Sequence, residues 1–272
     1  MHMYLYLQMM PICVVPSCKV IQLNMTQTQT LEVLMFFQEW SLAMDPRITA
    51  NLEVNQKKNL NSVTIAGIWM GSLADFRAAL ITSGLTDSTP FTLQDLLASA
   101  TEVTYTEALI NLNGWQDVEQ AGSLTDDFID DRSFFQYLSF WLLEPLPREA
   151  MVLLMEEANW CSDPQPNGNC SGTRLVYEFQ TVGGPKSGSG VPDAGGHVWT
   201  NNFSSVEPTS TAFPHRNARH CLMFKANSVT EEGYGPVAVR MRKVFEKVAL
   251  HVRGKSPYYN HMDTVRVCAC AL

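Results

Sequence analysis

The sequence predicts an α+β fold: one domain in which a largely antiparallel or mixed sheet is covered by helices. Three observations carry this expectation. The chain has 272 residues, 46% of them hydrophobic and 17% charged, enough to bury a sizeable core. Strand-type alternation and helix-type spacing interleave along it without a strict β-α-β-α order. One pair of strands is joined by a short polar turn, a connection open to antiparallel neighbours but not to parallel ones.

The elements follow in order. Residues 20–26, Val-Ile-Gln-Leu-Asn-Met-Thr, roughly alternate apolar and polar and read as a half-buried strand. Val33, Phe36, Phe37, Trp40 and Met44 recur at helical spacing, giving a helix that ends before Pro46. Residues 48–56 and 62–70 form a hairpin around Gln56-Lys57-Lys58-Asn59. Gly71-Ser72 then breaks the second strand, and Ser72 caps a helix from Leu73 to Ile81 with Asp75 three residues on. A strand follows at 101–107, and two helices at 132–142 and 147–159, the second opening on Pro147. Strands return at 173–181 and 219–226, separated by the Gly-, Ser- and Pro-rich stretch Gly183–Pro208, a long surface loop. The last element is a helix from Val237 to Leu250. Val237, Met241, Val244, Phe245 and Val248 form its apolar face, with Arg240, Arg242, Lys243, Glu246 and Lys247 on the solvated side.

Several function classes are excluded. A formal charge of −8 and a pI near 5.2 provide no source for phosphate neutralisation, so nucleic acid is not an expected partner. The most apolar stretch, Met1–Val15, is interrupted by Gln8 and Pro11 and is too short for a bilayer, so no membrane partner is expected either. No Lys or Arg precedes Lys19, which argues against a secretion signal. Sequons at Asn24-Met25-Thr26 and Asn202-Phe203-Ser204, and a poorer one at Asn169-Cys170-Ser171, have meaning only in an exported protein, and the compartment stays unassigned.

Of seven cysteines, Cys161 and Cys170 flank a Pro/Gly/Asn loop and are either a disulfide or two thiols. Cys268/Cys270 and Cys13/Cys18 lack the second ligand pair that zinc requires, so no metal is expected. Gly183-Gly184 and Gly195-Gly196 do not sit in a strand-to-helix turn at G-x-G-x-x-G spacing, and no G-x-S-x-G or H-E-x-x-H is present.

A set of segments, in order, resembles the substrate-binding domain of the berberine bridge enzyme-like FAD-linked oxidases, which include the fungal oligosaccharide oxidases. They are the strand and helix from Val20 to Trp40, Asp45-Pro46-Arg47, and Thr64-Ile65-Ala66-Gly67-Ile68-Trp69-Met70-Gly71-Ser72, which is similar to the family's G-x-x-x-G-S step. Ser133-Phe134-Phe135 comes next, as an aromatic run before a helix. Thr211-Ala212-Phe213-Pro214-His215-Arg216 is similar to T-A-F-x-H-R, and Tyr258-Tyr259-Asn260-His261-Met262-Asp263 to Y-x-N-Y-x-D.

The resemblance covers residues 19–263 as one substrate-binding domain, with 1–18 and 264–272 as extensions outside the family pattern. It implies a sheet that roofs a flavin held by a separate domain, and a reaction in which a substrate alcohol gives its hydroxyl proton to a base and its hydride to the flavin, with dioxygen as acceptor. The implied partners are a small-molecule alcohol or sugar and a separate FAD-binding domain, and the implied cofactor is FAD. The family's FAD-binding portion has no counterpart in these residues, so a partial chain that binds little flavin by itself is expected.

The resemblance also implies site residues. His261 stands where many such oxidases keep a tyrosine base; imidazole titrates near pH 6.5 and accepts a proton without the strong perturbation a phenol needs. His261 is the expected catalytic residue, unless the position has drifted in a chain that no longer catalyses. Tyr258 matches a pocket-lining tyrosine. Met223 stands where the family often keeps a substrate-facing glutamine, and a thioether cannot donate a hydrogen bond. On strand 173–181, Tyr177 and Phe179 share one face and Glu178 and Gln180 the other, and the polar pair is expected to meet substrate. His215 and Arg216 are expected to shape the sheet edge. The alternative to an oxidoreductase is a non-catalytic binding or interaction module that keeps this fold.

Overall fold

A computed structural model describes residues 14–45, 47–56, 61–69, 71–104, 107–108, 134–158, 173–181, 191–192, 198–199, 218–228 and 230–252. The first strand, β1 (Val14–Met25), starts earlier than its alternation suggests and leads into α1 (Gln27–Ala43). A capping box explains why α1 starts there: the Gln29 amide donates to Thr26 Oγ1 at 3.2 Å, and the Thr26 amide donates to Gln29 Oε1 at 2.9 Å. The expected hairpin is β2 (Ile48–Gln56) with β3 (Asn61–Trp69), paired from Ile48–Trp69 to Gln56–Asn61.

Asp45 and Arg47 have a structural task at this hairpin. Arg47 grips Asp45 through two bonds of 2.9 and 2.8 Å and lays its guanidinium 4.2 Å from the centre of the Trp69 ring, tying the exit of α1 to the open end of the hairpin. Ser72 caps α2 (Leu73–Thr82) as expected. The helix ends in a Schellman turn: Gly84 adopts φ +86°, its amide donates to Ile81 O, and the Leu85 amide donates to Leu80 O.

A short helix absent from the sequence reading follows, α3 (Leu93–Ser99), closed by a Thr92–Asp95 capping box. Two turns give too few apolar positions for periodicity to register. β4 (Thr101–Thr104) then pairs with the start of β1.

The expected helix at 132–142 is instead a strand, β5 (Phe134–Leu142). Apolar residues at 134, 137, 138, 141 and 142 mimic a helical face because both faces of this strand are buried: Leu138, Phe140 and Leu142 on one side, Trp141 on the other. Its aromatic content, with Phe, Tyr and Trp at five of nine positions, suits a strand. Phe134 and Phe135, expected to precede a helix, are therefore the first residues of a strand. Next come α4 (Arg148–Ala158), β6 (Thr173–Thr181), and the short pair β7 (Val191–Pro192) and β8 (Val198–Trp199), which lies within the stretch read as a loop.

β9 (His220–Ser228) and α5 (Glu231–Ala249) end the described chain apart from one last turn. α5 begins six residues before the expected start, at Glu231, and is capped by Thr230, whose hydroxyl accepts the Gly233 amide; Pro236 in the second turn hides this beginning. Gly233 permits a close approach, since a Cβ there would stand 2.5 Å from Ser228 Oγ and 2.7 Å from Thr173 Oγ1.

The seven large strands form one sheet in the order β4-β1-β3-β2-β6-β9-β5, with every neighbouring pair antiparallel. This is the α+β architecture that the sequence predicts. One face packs against the helices in a continuous core: Leu52, Val54, Ile65, Tyr177, Phe179, Leu222 and Phe224 from the sheet meet Leu34, Phe37, Leu154, Met241, Val244 and Val248. Phe245 of α5 stacks on Phe140 with centroids 4.0 Å apart. Gln38, fully buried in α1, clamps the turn before α4 by accepting the Leu146 amide at 2.7 Å and donating to its carbonyl at 3.3 Å. Among the described residues, no helix is long and apolar enough to cross a membrane.

Candidate functional site

Strand alternation sends every second residue of β2, β6, β9 and β5 away from the helices. On that opposite face the antiparallel register sets Glu53 of β2 directly across from Glu178 of β6, and Glu178 across from Met223 of β9. Two like charges at directly opposed positions are unfavourable by themselves. Lys225, two residues along β9 from Met223, supplies the compensating charge. Its ammonium contacts the Glu178 carboxylate and lies 3.8 Å from Glu53 Oε2. Gln180 Nε2 donates to Glu178 Oε1 at 2.9 Å, and Tyr137 of β5 sets its ring 5.9 Å from the ammonium.

The burial is graded: the Glu178 side chain is 7% exposed, Lys225 25% and Glu53 35%. Burial acts to lower the Lys225 pKa, but Glu178, Glu53 and Tyr137 together outweigh it and hold the ammonium above the usual lysine range. Lys225 is a permanent cation here.

The cluster therefore contains the expected pair Glu178 and Gln180, mutually hydrogen-bonded, with Met223 beside them. Met223 is buried with Trp141, Ala218 and Cys221 on this same face. Cys221 is no nucleophile: burial, in spite of a hydrogen bond from Ser139 and with help from Glu178, pushes its thiol up to about 12. The sequence reading missed Lys225, Glu53 and Tyr137. All three lie in or beside segments it treated, but only the register shows that they converge. His261, Tyr258, His215, Arg216, Cys161 and Cys170 lie outside the described residues, as do Asn169 and Asn202.

Two other features lie apart from this cluster. Ser41 Oγ lies 2.5 Å from His220 Nε2, a nucleophile–base spacing, but the pair is buried between α1 and β9 on the helix side. Burial, and secondarily Arg219, lower the imidazole pKa to about 4. A cleft of about 310 Å³ opens between the 143–147 turn and His251–Val252, lined mostly by Leu and Pro. Neither feature includes a residue of the polar cluster.

No protein-family profile matches this sequence, and a comparison with curated protein sequences finds no match. Solved structures do. Berberine bridge enzyme from Eschscholzia californica superposes with a TM-score of 0.67 at 18% identity, over 92% of this chain and 44% of the enzyme. The fold is that of one part of berberine bridge enzyme. A BBE-like protein from Arabidopsis thaliana matches with a TM-score of 0.66 at 14% identity, over 92% of this chain and 46% of that one. Phl p 4.0202, described as a glucose dehydrogenase, matches at 0.64 and 12% identity, over 93% and 45%. The chain thus spans less than half the length of the berberine bridge enzyme-type structures it matches, and these matches lend no support to the fungal subgroup.

The FAD implied by the resemblance needs a seat for its diphosphate, and free amides at a helix N-terminus commonly provide one. The described helices do not fit that task. Thr26, Thr92 and Thr230 cap their own helices. At α2, Ser72 and Asp75 close the first turn while Glu102 Oε1 accepts the Leu73 amide at 2.9 Å. Carboxylates also stand in the first turns of α3, α4 and α5, where they would repel phosphate. What the described residues provide is a polar sheet face with a fixed cation and two carboxylates, which suits the binding and orientation of a polar small molecule.

Proposed function

We propose that this chain is the substrate-facing portion of a flavin-dependent oxidoreductase of the berberine bridge enzyme-like type, acting on a sugar or another small-molecule alcohol. In this reading the FAD is bound by residues other than those described. The observation that carries the proposal is the superposition of nearly the whole chain on berberine bridge enzyme, with the Glu53–Glu178–Lys225 cluster on the face turned away from the helices. One structure of that enzyme contains (S)-reticuline, so the fold accommodates small-molecule ligands. On this face Glu178 and Gln180 form the polar floor beneath the substrate, Met223 supplies an apolar wall, and Tyr258 and His261 complete the pocket, with His261 as the proton acceptor. Residues 19–263 are the domain that does this.

Co-expression with an FAD-binding domain of a berberine bridge enzyme-like protein tests the proposal. Alcohol-dependent peroxide production is the expected result, and His261→Phe should abolish it. An inert but stably associated pair would instead favour a non-catalytic interaction module. The chain alone is expected to purify without a stoichiometric flavin spectrum.

A further inference from the structure

Lys225 carries three N–H donors. One of them meets Glu178 by direct contact. Glu53 Oε2 stands 3.8 Å from the same nitrogen, beyond hydrogen-bond reach, so this pair attracts as charges without sharing a proton. A group that bridges them from the solvent side has to accept from the ammonium and donate to the carboxylate. A hydroxyl does both. A carboxylate has no proton to give Glu53, and an ammonium has no lone pair to offer Lys225.

Access agrees with this chemistry. Lys225 and Glu53 are reached from solvent, whereas Glu178 is enclosed and its second oxygen is taken by Gln180. The titratable groups facing the ammonium are Glu53 from β2, Glu178 from β6 and Tyr137 from β5. We propose that Lys225 and Glu53 form the seat of a ligand hydroxyl, the ammonium donating to its oxygen and the Glu53 carboxylate accepting from it, with Glu178 and Gln180 as positioning residues that hold the lysine. The seat belongs to the sheet, and it rests on the oxidoreductase reading only in that its ligand is then the substrate.

The test titrates the full chain, labelled with 13C and 15N, with glucose as a neutral polyol and with gluconate and glucosamine as charged counterparts. Glucose should shift the Lys225 Cε and Glu53 Cδ resonances saturably. Glu53→Gln should weaken binding about tenfold, the usual effect of losing a charge-assisted hydrogen bond. Lys225→Met should abolish it. Lys225→Arg, which keeps the charge and secures the fold if the methionine variant is unstable, should retain part of it. Glu149→Gln on the exposed side of α4 should change nothing. An undiminished glucose response in Glu53→Gln overturns the proposal, as does glucosamine binding more tightly than glucose, or no response at all. Peroxide production in the reconstituted pair is read separately: its absence with the glucose shift intact removes the oxidoreductase reading and leaves the seat, and the converse removes the seat alone.

Discussion

Along β6 and β9, adjacent residues live in opposite worlds. Tyr177, Phe179, Leu222 and Phe224 point into the helix-covered core and are fully buried, with Phe224 edge-on to Tyr177 and Phe140 at 5.3 and 6.0 Å. Glu178, Gln180 and Lys225, one position away, form a polar cluster whose burial is partial and whose charges depend on one another. The first face is held by area and shape, which tolerate no loss of volume. The second is held by pairing, so its residues can be exchanged only where no partner is left stranded.

Four measurements sharpen or break that contrast. Phe224→Ala should destabilise most, by about 4 kcal/mol in denaturant unfolding, because it empties the centre of an aromatic cluster. A loss below about 1 kcal/mol would mean that the core face is not close-packed there.

The second is a pH effect on the same face. His220 is buried with its pKa lowered to about 4, against about 6.5 in the unfolded chain. The folded state thus binds fewer protons than the unfolded state between these values. Stability is fully present above about pH 6.5 and should fall by about 3 kcal/mol as the pH drops toward 4. His220→Gln should flatten that part of the stability profile.

Third, Lys225→Met leaves an almost enclosed Glu178 opposite Glu53 without a cation, and should cost about 2 kcal/mol at neutral pH. Much of this should be recovered by the double variant with Glu178→Gln, as a double-mutant cycle would show. Smallest is Glu53→Gln, expected to shift stability by no more than about 0.5 kcal/mol, since the carboxylate is one-third exposed and lies 3.8 Å from its partner. A large loss there would mean that the polar face is structural throughout.

Much of this architecture was legible from residue patterns. Strand 173–181 is legible to the residue, and the hairpin, the Ser72 cap and the apolar face of α5 are legible too, because alternation, capping chemistry and helical spacing are local signals. β5 was not legible. A strand buried on both sides loses its alternation, and Phe134 to Leu142 then imitates a helix. α5 was cut short because Pro236 ordinarily marks a helix start, and here it sits in the second turn. Of the polar cluster, parity alone placed Glu178 and Gln180 on one face. Glu53 and Lys225 could not be joined to them because cross-strand register is fixed by long-range pairing, which no local pattern records.

The strand order has a further consequence. β4, β1, β3 and β2 all come from residues 14–104, and β6, β9 and β5 all come from residues 134–228, so the sheet consists of two ribbons, each local in sequence. Among the described strands, the pairing of β2 with β6 joins them, and that contact must overcome the loop entropy of everything between. Glu53 stands on one side of this join, with Glu178 and Lys225 on the other. Glu53 therefore reaches the Glu178–Lys225 pair only when the two ribbons close, and its approach to Lys225 reports that closure.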